Sequence, residues 1–502
     1  MGEYLAPGVY VEETSSGSKP IEGVGTSTGA FVGVAEKGPI DDAKLITNWT
    51  QFVDNFGSFS TDGYLAYSVY QFFNEGGTKC FVVRAASDGA AKSSVILQDG
   101  TPANTLLVEA IGEGTYGDKV SVTVANGTDD DTFKLVVKNG EDVVETVDNL
   151  VMSENDGDGN PNLNFIEKRV NGKSKWVTVD VDEDGYTGVR PANIEDAPLV
   201  GGNNGATLAQ SDAIGDESNK RGLHAFDVVD EINIVAIPDK AGDRGTILAG
   251  LAYCGNRADC FFVADPPMGL DVMDVKDFKG GSGDYAGQNA FNSSYGALYY
   301  PWVKVYDPLT NDGKFTPPSG AVVGTYSNSD VKRGVHKAPA GTVEGYLDSV
   351  SGINKIVTKG EQAVLNPVNV NVIRSFPGTG ICVWGARTVS ADAEWKYVNV
   401  RRLFMFMEES ILKASQWVVF EPNDPALWGS VKRNITAFLT RVWRDGALFG
   451  ATAEEAFYVK IDEENNPPEV RDAGQLIIEI GAAPVKPAEF VIIRISQKTA
   501  TK

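Results

Sequence analysis

Hydrolysis by a serine nucleophile in this 502-residue chain would need one of its two histidines, His224 or His336. Such a site needs an imidazole to take the serine proton and a carboxylate to orient the ring. His224 stands in "KRGLHAFD" and His336 in "KRGVHKAPA", and both stretches read as turn or surface positions. "GGSGD" (280–284) departs from the GxSxG elbow at its last position. There is no HExxH or P-loop, and no GxGxxG lies at a strand–helix turn. The expectation is no catalytic set and no cofactor. The closest approach to a metal loop is "DVDEDGYTGVRP" (180–191), where Asp180, Asp182 and Asp184 alternate before Gly185. Alternate carboxylates followed by a turn-forming glycine suit a hard cation such as Ca²⁺, but Pro191 occupies the twelfth position, where a bidentate Glu is required. The three aspartates are therefore half of a Ca²⁺ loop, and the plain reading is an acidic surface turn.

Composition narrows the partners. Lys plus Arg number 44 and Asp plus Glu 68, a net charge of −24, which argues against nucleic acid. The charge is uneven: residues 141–200 carry 14 acids and 5 bases, whereas 395–450 carry 8 bases and 5 acids. A basic segment in an acidic chain fits an acidic partner. Cys80, Cys254, Cys260 and Cys382 form no CxxC pair, so reduced, buried thiols in a protein made in the cytosol are expected. The opening "MGEYLAPGVYVEE" lacks the basic and apolar regions of a signal peptide, and no run of 18 apolar residues offers a membrane span.

The elements that would position these residues alternate in texture. "AFVGVA" (30–35) and "KCFVVRA" (79–85) read as buried strands around helices at 48–57 and 62–77. From about 95 to 195, short strands split by turn residues form an all-β module. "EINIVAIP" (231–238), a helix at 242–258 and "DCFFVADPP" (259–267) then make a βαβ unit with a parallel sheet. The simplest organisation is one α/β domain with the β module inserted. The last region is α+β. Asp424 and Pro425 open a helix with the apolar stripe Trp428, Val431, Ile435, Phe438 and Val442. Strands at 474–484 and 487–496 close the chain.

Both ends carry tethered strands. "EFVIIRIS" (489–496) puts Val491, Ile493 and Ile495 on one face and Phe490 and Ile492 on the other, behind the Pro-marked "APVKPAE". "GVYVEE" (8–13), with Val9, Tyr10 and Val11, precedes a Gly/Ser linker. A bare strand that is apolar on both faces is an aggregation hazard unless another chain covers it. A second copy of this protein is the expected cover.

The order of motifs resembles a family, the contractile tail sheath proteins of bacteriophages, R-type pyocins and related contractile injection systems. "APGVYVEE" and "GAFVGVAEKGP" resemble its opening, and "GTYGDKVSV" (114–122) its turn into the β insertion, with Tyr116 and Asp118 where Trp and Asn are common. "APLVGGNNG", "YCGNRADCFFVADPP", "PPSGAVVGTYSNSDVKRGVHKAPAG", "WKYVNVRRLFMFMEESI", "FEPNDPALW" and "APVKPAEFVIIRI" follow in the family's order over nearly the whole length.

The resemblance implies an α/β plus α+β multidomain fold: an N-terminal strand-exchange arm (1–20), the first part of the α/β core (21–95), an inserted β-rich domain (96–195), a subtilisin-like α/β domain without protease activity (196–365), a tube-proximal C-terminal α+β domain (366–485) and a C-terminal strand-exchange arm (486–502). It implies a structural subunit of stacked rings around an inner tube, with baseplate and tail terminator proteins as further partners, in a virion tail or injection particle. Within that frame the basic segment supplies the candidate tube contacts: Arg401, Arg402, Lys413, Lys432, Arg433, Arg441 and Arg444. The alternative is a subtilisin-like hydrolase with accessory domains, which the missing triad disfavours.

Overall fold

The computed structural model describes residues 20–156, 159–181 and 186–494, which form two compact units. The larger comprises Thr26–Gly334 and Ala338–Val398. Its strands are β1 (Gly29–Gly33), β2 (Lys44–Ile46), β3 (Cys80–Arg84), β4 (Ile234–Ala236), β5 (Phe261–Ala264), β6 (Gly296–Tyr300), β7 (Val370–Phe376) and β8 (Gly380–Val383). They form one sheet in the order β2-β3-β1-β4-β5-β6-β7-β8. Every pairing from β3 to β7 is parallel, and β2 and β8 close the edges antiparallel.

Parallel strands need crossovers that lay helices on the sheet, so both faces are covered and the strands become continuously apolar. Here α1 (Trp49–Phe56), α2 (Leu65–Asn74), α3 (Arg244–Arg257), α4 (Val272–Gly280) and α5 (Ser319–Arg333) belong to the same unit as the sheet. On one face Phe31 meets Phe72 of α2 edge-on at 5.7 Å, and Tyr299 shares a 2.5 Å hydrogen bond with Tyr326 of α5. Val32, Leu298 and Tyr300 instead join Ile247 and Leu251 of α3 and Phe278 of α4 in one buried cluster. The side-chain period of two divides each strand between the two helix layers.

Between β3 and β4 the chain leaves to build the inserted module. One three-stranded sheet runs Val177–Asp180, Asn104–Ala110, Ser94–Gln98, and a four-stranded sheet runs Ile194–Pro198, Val120–Asn126, Phe133–Asn139, Asp142–Leu150. Alternation in "VSVTVAN" buries Val120, Val122 and Val124 against Leu135 and Val137. The apolar stretch "ALYYPWVKVYDP" is two strands, not one. Val303–Asp307 leaves the main sheet and pairs with Asp312–Thr316 and Gly352–Ile353.

Among the described residues, the smaller unit takes 399–494 with Val335–Lys337 and residues 20–25. The strands at 370–383 close the parallel sheet of the larger unit, so the compact C-terminal unit starts at Asn399 rather than at 366. Its core lies between α6 (Val398–Ser415), α7 (Pro425–Arg444) and a hairpin of Phe457–Lys460 with Glu479–Ala482. Asp424 caps α7 as expected, its Oδ1 accepting from Leu427 N at 2.8 Å, with Pro425 at the first position. Trp428, Val431, Ile435, Phe438 and Val442 are all buried, joined by Leu403, Met407 and Leu439.

Candidate assembly surfaces

Three features of the smaller unit face outward: a basic helix face, an apolar groove and an uncovered terminal segment. At 100° per residue, Arg433 and Arg444 fall on the side of α7 opposite its apolar stripe, with Lys432 and Arg441 on the two flanks. All four are exposed. Arg441 also donates from Nη2 to the carbonyl of Ile21 within the unit. Lys413 on α6 is exposed but held by Glu409 one turn away at 3.0 Å.

Arg401 and Arg402, also expected among surface cations, are only 5% and 3% exposed. Both are buried rather than presented to water, and Arg401 donates from Nη2 to both carboxylate oxygens of Glu408 at 2.8 and 3.0 Å. A guanidinium taken out of water must be paired, and the carboxylate two helical turns on supplies that. Arg401 and Arg402 are thus buried in the single chain, and the outward cation set narrows to Lys413, Lys432, Arg433, Arg441 and Arg444.

The second feature is an apolar groove of about 550 Å³, lined by Phe404, Met407, Ile411, Leu412, Ile478 and Ile480 among others. Leu412 and Val419 on its rim are largely exposed, and Phe420, in the α6–α7 loop, is fully exposed. Phe420 holds a φ of 70°, a left-handed conformation that costs a bulky side chain energy. The groove borders the two-stranded hairpin, whose outer edges carry no third strand among the described residues.

Phe490–Arg494 adopts no strand, contrary to the expectation for 487–496. A strand requires a ladder partner, and this segment has none among the described residues. Phe490, Val491, Ile492 and Ile493 are 73–79% exposed, four consecutive large apolar side chains in water. Single exposed apolar residues are ordinary, but a contiguous run marks an interaction site. Val9, Tyr10, Val11 and Ile495 lie outside the described residues.

The catalytic alternative finds no constellation. His224 Nδ1 meets Asp227 Oδ2 at 3.1 Å, and that carboxylate also accepts from Tyr253 at 3.0 Å and Lys220 at 3.2 Å. Burial pushes the Asp227 carboxyl up, but these donors outweigh it and hold it below its ordinary value. No serine hydroxyl bonds His224 among the described residues. His336 lies in the other unit, where its carbonyl accepts from Asn399 Nδ2 at 2.8 Å. Of the three aspartates in the partial Ca²⁺ loop, Asp182 and Asp184 lie outside the described residues, and Asp180 sits exposed at a strand end. Among the described residues no three His, Cys, Asp or Glu side chains converge as a metal site.

Comparison with known proteins gives the family. The family model "Phage tail sheath protein central domain" matches residues 218–389, and "Phage tail sheath C-terminal domain" matches 390–498. The chain is similar to the tail sheath protein of Vibrio phage KVP40, 25% identical over 251 residues, which is 47% of this chain and 36% of that one. It is also similar to the tail sheath protein of Burkholderia phage BcepMu, 30% identical over 208 residues, which is 38% of this chain and 41% of that one. The chain thus matches well under half the length of these curated relatives. Among solved structures, the sheath of the extracellular contractile injection system PVC, in its contracted state, superposes with a TM-score of 0.60 at 22% identity, over 99% of both chains. A sheath tail protein from Desulfitobacterium hafniense superposes with a TM-score of 0.58 at 13% identity, over 91% of this chain and 94% of that one. The whole fold, inserted module included, is shared with these structures, and the chain belongs to the contractile phage tail sheath family.

Proposed function

We propose that this chain is the repeating subunit of a contractile sheath. Copies polymerise around an inner tube in an extended state, then shorten and widen to drive the tube through a target cell envelope. The observation that carries the reading is Phe490–Ile493, four large apolar side chains left in water on an extended segment of a chain from this family. An isolated protein gains nothing from such a tail, whereas a polymer gains its linkage from it.

In this reading the tail adds as a strand to the open hairpin edge at Glu479–Ala482 of a neighbouring copy, over the apolar groove. Val9–Val11 and Ile495 take part in the same exchange. The "APVKPAE" tether lets the link persist while subunits slide, as a bistable assembly requires. Lys432, Arg433, Arg441 and Arg444, with Lys413, form the tube-facing surface. Salt-screened pairs there break more readily on contraction than a buried apolar interface would. Baseplate and terminator proteins cap the polymer, in a virion tail or an injection particle assembled in the bacterial cytoplasm.

The parallel sheet of the larger unit reads as a subtilisin-like core used as scaffold, with no enzymatic role. Consistent with a particle component that does not insert in a bilayer, no helix among the described residues is long and apolar enough to cross a membrane. Negative-stain microscopy of the purified full chain tests the proposal. Hollow tubes are expected, and uniform single particles at every protein concentration and salt condition would overturn it.

A further inference from the structure

We propose that Cys254 and Cys260 form an intramolecular disulfide once the protein meets a peroxide oxidant. Both thiols are free and fully buried, and their sulfurs lie 3.3 Å apart, inside van der Waals contact. Closing that gap to a covalent bond of about 2.05 Å needs a movement of little more than 1 Å, within reach of small side-chain rotations. The two cysteines flank the tight turn that leads from α3 into the central strand β5.

That turn is clamped so that the sulfurs face each other. Ala258 closes the helix in a left-handed conformation at φ 64°, donating to the carbonyl of Cys254 at 2.9 Å. Arg257 grips Asp259 through two hydrogen bonds of 2.8 Å each. The same guanidinium donates to the carbonyls of Phe226 at 2.7 Å and Val229 at 2.8 Å. The pair to Asp259 stiffens the turn from within, and the two bonds to Phe226 and Val229 anchor it to the neighbouring segment.

The chemistry balances with hydrogen peroxide as oxidant. One sulfur attacks a peroxide oxygen, the O–O bond breaks, and a sulfenic acid and one water form. The second sulfur attacks the sulfenic sulfur, the S–O bond breaks, and the S–S bond forms as the hydroxyl leaves with the remaining thiol proton as a second water. Two thiols are oxidised and one peroxide is reduced. Burial pushes the Cys260 thiol well above its ordinary value, with the Cys254 contact adding to that, so the reaction is slow. The same burial shuts out bulky disulfide oxidants and protein reductases, so the bond persists once made. Cys80 and Cys382, also buried, have no sulfur contact of this kind.

The test uses the full chain, reduced, freed of reductant and exposed to hydrogen peroxide. Remaining thiols are alkylated in denaturant, and the protein is digested with trypsin. Cleavage after Arg257 separates the two cysteines, so the disulfide appears as a pair of peptides joined through Cys254 and Cys260 and released by dithiothreitol. The expected result is that pair as the dominant oxidised species, with Cys80 and Cys382 alkylated. Alkylated Cys254 and Cys260 under conditions that fully oxidise an exposed thiol would overturn the proposal. So would sulfinic acid at either position, or pairing of either with Cys80 or Cys382.

Discussion

Removing residues 490–502 should abolish polymerisation and leave the subunit itself intact. Each of Phe490, Val491, Ile492 and Ile493 is about three-quarters exposed within the single chain, so losing these four side chains takes away little intramolecular contact among the described residues. A change of less than about 0.5 kcal/mol in subunit stability follows, as for ordinary surface substitutions. In the polymer the same four side chains pass out of water. Full burial of a large apolar side chain contributes roughly 1.5–3 kcal/mol, so three-quarters of that over four residues is about 5–9 kcal/mol per copy before ordering costs. Such a link decides assembly, because 1.4 kcal/mol is about a factor of ten in an association constant. The assay pairs sedimentation velocity with thermal unfolding of the truncated and full chains. Polymer should disappear at concentrations where the full chain assembles, with unfolding midpoints alike. Tubes from the truncated chain would refute the reasoning, as would a large drop in its midpoint.

Charge reversal at Arg433 and Arg444 together should weaken co-assembly with the tube in a salt-dependent way and leave the far-UV circular dichroism unchanged; equal co-assembly at low salt would remove α7 as the contact. Asp424→Ala deletes the N-cap of α7 and should cost about 0.5–2 kcal/mol in denaturant unfolding. Phe438→Ala, at the centre of the smaller unit's core, should cost roughly 3–5 kcal/mol. Asp265, buried beside Ser319 N at 2.9 Å, has its carboxyl raised to about 7, chiefly by desolvation. The folded state therefore holds this proton more tightly than the unfolded chain, and the stability it contributes is lost as pH rises from about 4 through 7. Asp265→Asn should accordingly gain stability relative to the parent between pH 4 and pH 8, and a pH-independent difference in midpoint would contradict the assignment.

Local signals were legible in the residues themselves. The α7 cap and stripe, the βαβ crossover through α3 and the β module are written in spacing and turn chemistry that act within a few residues. What failed depends on neighbours distant in sequence. Strands at 370–383 look like part of the region that follows them, but their parallel partner is β6, about 70 residues earlier. Arg401 and Arg402 register as charge in a sequence, and their burial becomes visible only when α6 is docked. The one signal available was Glu408, seven residues on and so on the same helix face as Arg401. The strand expected at 487–496 is not formed among the described residues, because β-prone residues without a ladder partner make no strand. The groove is assembled from α6, the loop after it, Leu439 of α7 and the hairpin, segments that no local pattern joins.

The most direct test of the central claim is a helical reconstruction, by electron cryomicroscopy, of polymer formed from the purified full chain. The account requires a hollow tube in which density for Phe490–Ile493 leaves its own subunit and pairs along Glu479–Ala482 of a neighbouring copy, over the groove lined by Ile411 and Ile480. A tail folded back onto its own hairpin, or a polymer whose subunits meet without the tail, would contradict it.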